Sequence, residues 1–383
     1  MIRRTVTMGN SNTTDVPAGH VATHHVAVQS YSRLHFGLME ICPGEPHCYG
    51  GLGMMVDRPV AILSGRTGIV ESIDEVRIDA TDYWKARVRQ VLRHRFAQLA
   101  TSTLPLPGIP VPGIPVQEIR VFHAPEAHVG LGSGTQFACS VAALLAAAES
   151  CISQSAGRVS MVTSDPITAS VSSLFADIAI LASRAERGKR SYIGLQGFLS
   201  GGMVLDLGAD SAPEGTTIQR TSTVPFPSSW RVVLVCDRSY VGESGDREVE
   251  MFHECAKQPN RFREQMLRAV REELLPAMGA QDWGTASRAI GRYGAMAGEV
   301  FRPLQGGIYR SERIASTIAM LQRMGFEGVG QSSWGPTVFA IAHDDDQAAW
   351  LCEQLQPRLD SRATTMIARS AEGAFYECGS SSL

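Results

Sequence analysis

Charge is scarce in this chain. Only 19% of its 383 residues are Asp, Glu, Lys or Arg, and the signs nearly cancel to a formal −3. With no long basic run, nucleic-acid binding is not expected. A small anionic ligand stays open, because it needs a few local arginines and not a basic surface. Cysteine pairs at metal-binding spacing are also missing. The eight cysteines stand at 42, 48, 139, 151, 236, 255, 352 and 378, none in a C-x-x-C arrangement. Free thiols in a reducing compartment are expected. The ten histidines show no ligand spacing that suggests zinc. Residues 1 to about 26 are polar and lack the apolar core of a signal peptide. The longest apolar run, 137–148, is too short and too rich in alanine to cross a bilayer. A cytoplasmic location without a membrane partner is the expectation.

What the chain has in quantity is apolar. At 44% hydrophobic residues it has the composition of a globular protein with an ample core. Its length suggests two domains or one large one. We read a flexible tail over 1–26, an N-terminal domain over 27–220 and a C-terminal domain over 228–378, with a Ser/Thr/Pro-rich linker at 208–229. Strands are expected within 26–66, helices at 82–100, 137–148 and 167–187, and a proline–glycine loop at 104–115. Glycines at 194, 197, 201 and 202 break up a strand region that ends at Asp206. A buried strand at Arg231–Cys236 is followed by helices near 246–273, 282–298, 311–324 and 347–355, with a strand–turn–strand at 329–342. The mixture predicts an α+β protein.

The most informative stretch is Pro125-Glu-Ala-His-Val-Gly-Leu-Gly-Ser-Gly-Thr-Gln136. It lies between an alternating segment, 118–122, and an apolar helix that starts near Phe137. Gly130, Gly132 and Gly134 let the backbone turn tightly and approach a ligand. Ser133 and Thr135 add hydroxyls, and the helix start adds N–H groups and a positive dipole end. Together these make an anion site, most often for phosphate. The loop has no Gly-Lys-Ser/Thr ending, so it is not a Walker P-loop, and its third glycine comes too early for a dinucleotide fingerprint.

Three further groups carry chemistry. Arg33 and His35 stand in Ser32-Arg-Leu-His-Phe-Gly37; strand alternation separates Arg33 from Phe36. Arg33 can hold a phosphate or carboxylate by a planar fork, and His35 can give or take a proton. Arg184, Arg187, Lys189, Arg190 and Ser191 cluster at a helix end. Arg302 to Arg310 and then Gly330-Gln-Ser-Ser-Trp-Gly-Pro336 offer amides, hydroxyls and Trp334, which can stack on an aromatic ligand or cap a core. Glu126, Glu186 and Asp57 are candidates for a loosely held Mg²⁺ on ligand phosphates.

The glycine loop resembles the phosphate loop of the GHMP kinase superfamily, whose usual pattern is P-x-x-x-G-L-G-S-S-A-A. Here one residue is added after the proline, and Gly-Thr-Gln replaces the small residues. Six ordered motifs resemble the β-ribofuranosylaminobenzene 5′-phosphate synthase family: Ser32–Met39, Tyr49–Gly53, Gly130–Gln136, Arg187–Ser191, Gln305–Gly307 and Gly330–Ala340. The resemblance covers about Ala27 to Cys378.

That resemblance implies a ribosomal protein S5 domain 2-like N-terminal domain and a ferredoxin-like C-terminal domain. It implies a transferase that joins ribose 5-phosphate from phosphoribosyl pyrophosphate to 4-aminobenzoate or 4-hydroxybenzoate. Pyrophosphate and CO2 leave, with Mg²⁺ as cofactor, in methanopterin cofactor synthesis. It also implies a homodimer. Arg33, His35 and Arg190 become the expected catalytic groups. Gly130, Gly132, Ser133, Gly134, Thr135 and Gln136 become the phosphate-binding ones. Ser32, Gln305, Gly306, Gln331, Ser332, Ser333 and Trp334 become the substrate-binding ones. The metal ligands stay open. Two other readings remain: an ATP-dependent small-molecule kinase of the superfamily, and a phospho-ligand sensor without catalysis. Several kinases of the superfamily place a catalytic aspartate near 190–197, where this chain has Tyr192-Ile-Gly194.

Overall fold

The computed structural model describes residues 23–41, 49–101, 113–156, 167–208, 221–239, 246–257 and 260–379. All but the end of the expected tail, most of the proline–glycine loop, most of the linker, and Cys42 and Cys48 lie outside the described residues.

The chain opens with a long antiparallel pair, β1 (His25–Leu38) and β2 (Gly51–Val70). Burial alternates along β1, with Val26, Val28, Ser30, Ser32 and Leu34 inward. Next come β3 (Arg77–Asp79), α1 (Asp82–Thr101), β4 (Ile114–His123) and α2 (Ser133–Ala156). Then follow β5 (Ile167–Ser170), α3 (Ile178–Ala185), α4 (Ile193–Ser200), β6 (Met203–Asp206) and β7 (Thr221–Val224). The second half holds β8 (Arg231–Asp237), α5 (Asp246–Cys255), α6 (Arg263–Arg268), α7 (Leu275–Gly279), α8 (Trp283–Gln305) and α9 (Glu312–Arg323). A π-helical turn, Ala269–Leu274, joins α6 to α7. The chain ends with β9 (Val329–Gln331), β10 (Thr337–Ala342), α10 (Asp345–Leu355), β11 (Ala363–Ala368) and β12 (Phe375–Gly379).

Two sheets organise these elements. The first has eight strands, with β3-β4-β2-β1-β12-β5 in order, β6 attached to β2 and β7 to β6. The second has the order β11-β8-β10-β9, all antiparallel neighbours. Counted within the second half, that order is fourth, first, third, second, with helices between the first and second and between the third and fourth strands. This is the ferredoxin-like βαββαβ pattern. β12 pairs with β1 and so returns the chain to the first sheet.

Helix α2 lies across that sheet and is the main core helix. Phe137, Val141, Leu144 and Leu145 are all at most 1% exposed, and burying each such large side chain contributes about 1.5–3 kcal/mol. The helix is long and apolar enough to cross a membrane by length and composition, yet 83% of its apolar window is buried in the protein, as in a core helix. The far end of β1 belongs to a second core. Leu34 and Phe36 pack there with Tyr293 and Phe339, the Phe36 and Phe339 rings meeting edge to face at 5.1 Å. β1 therefore spans both halves of the molecule.

Several sequence expectations need correction. The helix expected over 167–187 is a strand, a short 3-10 turn and then α3. Ser170 caps the 3-10 turn, Phe175 is extended, and Asp177 caps α3 at the Ala179 amide. The glycine-broken strand region contains helix α4. Its glycines serve close packing: a Cβ on Gly197 would meet Met55 Sδ at 2.6 Å, and one on Gly194 would meet Thr135 at 3.2 Å. The helix expected near 246–273 is divided between α5 and α6, and α8 runs on to Gln305. Part of the expected linker, Thr221–Val224, is strand β7. Cys139, Cys236, Cys255 and Cys352 are free thiols as expected. Cys151 and Cys378 are instead paired, joining α2 to β12.

Candidate active site

Three backbone segments meet where the two halves join. One is the end of β1, the second is the glycine loop before α2, and the third is the turn between β9 and β10. Arg33 N–H donates to Leu131 O at 2.9 Å, which ties the loop to β1. Ser332 Oγ donates to Gly130 O at 2.7 Å, and Thr337 Oγ1 donates to Val129 O at 2.6 Å. Ser332 Oγ also accepts from His35 N–H at 3.0 Å, and Ser333 N–H donates to His35 O at 3.2 Å. The loop and the turn touch backbone to backbone. A Cβ on Gly335 would lie 2.2 Å from Gly130 N, and one on Gly130 would lie 2.4 Å from Ser332 O. Gly130 also has φ +87°. Glycine is required on both counts.

Beside this junction lies a cavity of about 490 Å³. The glycine loop and the start of α2 line it through Gly130, Gly132, Ser133, Gly134 and Thr135. Thr135 and Gln136 N–H both donate to Gly132 O and set the helix start. Five cationic side chains face the space: Arg33, Arg87, Arg187, Lys189 and Arg190. Glu186 is the sole carboxylate among the described lining residues, and its Oε2 accepts from Gln90 Nε2 at 2.9 Å. The local field is therefore strongly positive in a chain of net negative charge.

Each cation has a local cause. Strand alternation puts Leu34 and Phe36 in the core and Arg33 and His35 at the cavity. Gly132, at φ +67°, makes room for the Arg33 guanidinium, since a Cβ there would lie 3.1 Å from Arg33 Nε. Arg187 is largely buried, which lowers its pKa, and its Nη2 donates to Gly134 O at 3.3 Å. It follows a left-handed C-cap at Glu186 that stops α3 and turns 187–191 toward the loop. Arg190 lies over the Phe252 ring at 4.7 Å. His35 is only 6% exposed. Burial, and then the charge on Arg33, push its pKa well below 6.5, so its ring is neutral at physiological pH.

A second, smaller cavity of about 60 Å³ adjoins the first. The two share His35, Leu38, Phe252, Ser333 and Trp334. The small one is otherwise lined mostly by apolar groups, among them Phe36, Ala297, Phe301 and Ile308, with Gln305, Tyr309 and Gln331 as polar members. Trp334 is 7% exposed. It stacks on Phe252 at 4.8 Å and meets Phe301 edge-on at 4.8 Å, so it belongs to an aromatic cluster and forms a wall of both cavities.

The sequence candidates divide accordingly. Arg33, His35, Arg190, Ser333, Trp334 and the loop residues through Thr135 come together at the cavities. Others lie apart. Ser32 is buried on the opposite face of β1 and donates to Pro59 O at 2.7 Å. Gln136 is fully buried and donates to Gly194 O at 2.8 Å. Ser332 is fully buried and serves the loop and His35 as described. Gln331 lines the small cavity, but its amide is engaged on both sides, with Arg310 N–H and Gly335 O. Gln305 lines the small cavity, whereas Gly306 is the exposed αL cap of α8 and lines neither. Among the metal candidates only Glu186 reaches the large cavity. Glu126 pairs with Arg238, and Asp57 accepts from Arg369 N–H. No cluster of three metal-binding side chains occurs among the described residues. The sequence reading missed Tyr83, Arg87, Gln90, Phe252 and Phe301, which reach the site from helices whose spacing signalled only amphipathic packing.

The fold is of the GHMP type. Residues 274–358 match the profile of the family GHMP kinases C terminal. Homoserine kinase from Cytophaga hutchinsonii superposes with TM-score 0.55 at 15% identity, over 94% of this chain and 99% of that one. Mevalonate diphosphate decarboxylase from Enterococcus faecalis does so with TM-score 0.56 at 12% identity, over 93% and 99%. At these identities the likeness concerns the fold alone.

Sequence relatives are more particular. The chain is 24% identical to the β-ribofuranosylphenol 5′-phosphate synthase of Methanothermobacter thermautotrophicus, over 83% of this chain and 88% of that one. It is 25% identical to the enzyme of the same name from Archaeoglobus fulgidus, over 81% and 85%. The resemblance read from the motifs is thus met by relatives named β-ribofuranosylphenol 5′-phosphate synthase.

Proposed function

We propose that this chain transfers ribose 5-phosphate from phosphoribosyl pyrophosphate to the ring carbon of 4-hydroxybenzoate or 4-aminobenzoate, with loss of pyrophosphate and CO2. One observation carries the reading: a strongly cationic cavity of about 490 Å³ adjoins a smaller, mostly apolar one of about 60 Å³ across a shared wall of His35, Leu38, Phe252, Ser333 and Trp334. The names of the relatives, which print a ribofuranosylphenol 5′-phosphate as product, agree with a phosphate-bearing pentose and a phenol ring.

The chemistry follows from the two environments. The bond from C1 of the ribose to the diphosphate oxygen breaks, and pyrophosphate leaves with the electron pair. The loop from Gly130 to Thr135 and the start of α2 supply dipoles and N–H groups for that developing charge. Arg33 and Arg190 are positioned to hold the 5-phosphate or the carboxylate by charge-assisted hydrogen bonds. The ring carbon bearing the carboxylate then bonds to C1. The bond from that carbon to the carboxylate breaks, CO2 departs, and its electron pair restores the aromatic ring. No strong base is needed, which suits a neutral His35. His35 and the apolar wall keep water from competing for C1.

Mg²⁺ fits this cavity only as an ion that the diphosphate brings with it. Glu186 is the available carboxylate and Ser133 the nearby hydroxyl, as expected for an ion held mainly by ligand oxygens and water. When bound, it neutralises charge on the departing pyrophosphate.

The kinase reading is disfavoured because Glu186 is the sole carboxylate among the described lining residues, and it cannot both meet the metal and accept a proton from an alcohol. Incubation with phosphoribosyl pyrophosphate, Mg²⁺ and carboxyl-labelled 4-hydroxybenzoate tests the proposal. Labelled CO2 is expected. Its absence, with phosphate transfer from ATP instead, would reverse the assignment.

A further inference from the structure

We infer that Phe252, an uncharged wall residue, positions Arg190 for the phosphate-bearing guest; this rests on the function proposed above, in which the large cavity takes phosphoribosyl pyrophosphate. Phe252 lies on α5 and lines both cavities, whereas Arg190 lines only the large one. The Arg190 guanidinium lies over the Phe252 ring, 4.7 Å from its centroid. The face of an aromatic ring is its negative part and attracts a cation placed there. A guanidinium keeps its five N–H donors in its own plane, so it can rest on a ring and still bind oxygen anions.

The platform is well fixed. Phe252 is 7% exposed. Its ring stacks on Trp334 at 4.8 Å, and Tyr49 and Phe301 meet it at steep angles, 5.5 and 6.2 Å away. Met251 is buried in the same cluster, and Cys255 Sγ donates to Val300 O of α8 at 3.8 Å. The backbone that carries half-buried Arg190 is tied down too. It runs from Gly188, at φ +89°, to Tyr192, whose N–H donates to Asp206 Oδ2 at 2.7 Å. A long side chain loses rotamer freedom when it grips a ligand. A ring that already holds the guanidinium reduces that loss, so the anion meets a prepared partner.

An aromatic wall residue thus sets part of the affinity for phosphate. The two roles of Phe252 ask different things of its ring. Lining the small cavity needs only its shape. Holding Arg190 needs the negative charge of its face, and the two requirements can be separated by experiment.

The test measures binding of phosphoribosyl pyrophosphate to the full chain by titration calorimetry, with no aromatic acid present. Phe252 is replaced in turn by 3,5-difluorophenylalanine and by pentafluorophenylalanine, which keep the ring's shape and drain its face of negative charge. Affinity is expected to fall stepwise, to a total of about fivefold. The same replacements at Phe301, which walls the small cavity, are expected to leave it unchanged. Phe252→Leu should lose affinity as the pentafluoro chain does, and Phe252→Tyr should retain it. If Phe252→Leu does not fold, the fluorinated chains decide. Arg190→Met is then made in the parent and in the pentafluoro chain, where its cost is expected to be smaller. Equal affinities across the fluorinated series would overturn the inference, since shape alone would then account for Phe252. Equal costs of Arg190→Met in both backgrounds would overturn it as well. A parent chain that does not bind phosphoribosyl pyrophosphate at all would instead remove the proposed function, and the inference with it.

Discussion

The large cavity is walled by cations and backbone, the small one by aromatic rings and alkyl groups, yet the two share a wall of five residues. In the large cavity the chain supplies charge through side chains from β1, α1 and the 187–190 turn. In the small one it supplies shape, through rings from β1, α5 and α8. The difference shows how one protein can hold a diphosphate ester and a benzene ring in contact. Each guest is recognised by a different force, and the shared wall fixes their relative position.

That division can be broken at one cavity at a time. The largest effect is expected from Ser133→Asp, which puts a carboxylate at the loop: binding of phosphoribosyl pyrophosphate should be abolished, by titration calorimetry, with thermal stability and binding of the aromatic acid retained. Unchanged affinity for the diphosphate would mean that the loop is only structural. Next comes Arg33→Ala, for which we expect a loss of kcat/KM of about a hundredfold. The loss should appear in steady-state kinetics with the circular dichroism spectrum unchanged.

The junction of loop and turn should respond differently, because a fault there shifts the loop and also the turn that carries Ser333 and Trp334 of the shared wall. Gly130→Ala places a Cβ against Ser332 O at a positive φ. We expect a loss of about 2–3 kcal/mol by denaturant unfolding, with weaker binding of both ligands. Gly134 is the internal control: a Cβ there meets nothing within 4 Å, so Gly134→Ala should leave unfolding nearly unchanged.

A smaller effect is expected from pH. The pKa of His35 is lowered on folding, chiefly by burial, so below about 6.5 the unfolded chain binds a proton that the folded chain refuses. Stability therefore falls as pH drops below that value, by at most about 1.4 kcal/mol per pH unit from this group. The loss continues until the lower folded pKa is reached. Unfolding curves of the parent chain and of His35→Gln between pH 7 and 5 should diverge in that sense. Parallel curves would show that the ring is not shielded.

Much of the large cavity was legible in the sequence, because its parts are local. The strand, glycine loop and helix start lie in one run of residues, and the cations of 184–190 lie in another. Arg33 and His35 were singled out by their chemistry in the motif at 32–37, with alternation separating Arg33 from Phe36. The small cavity was not legible, since Phe36, Phe252, Phe301 and Tyr309 come from segments far apart, and each looks like an ordinary core residue. Polar residues misled in the other direction. Ser332 and Ser32 resemble ligand-binding hydroxyls in a motif, but their hydroxyls go to backbone carbonyls at 2.7 Å. The glycines of α4 looked like strand breakers because sequence alone does not reveal that Met55 and Thr135 press against them.

The most direct measurement is a crystal structure of the chain with phosphoribosyl pyrophosphate and 4-hydroxybenzoate together. The account predicts the diphosphate against Gly130–Thr135 and the ring in the small cavity, walled by Phe252, Phe301 and Trp334. A diphosphate bound elsewhere, or a ring lodged among the arginines with the small cavity closed, would contradict it.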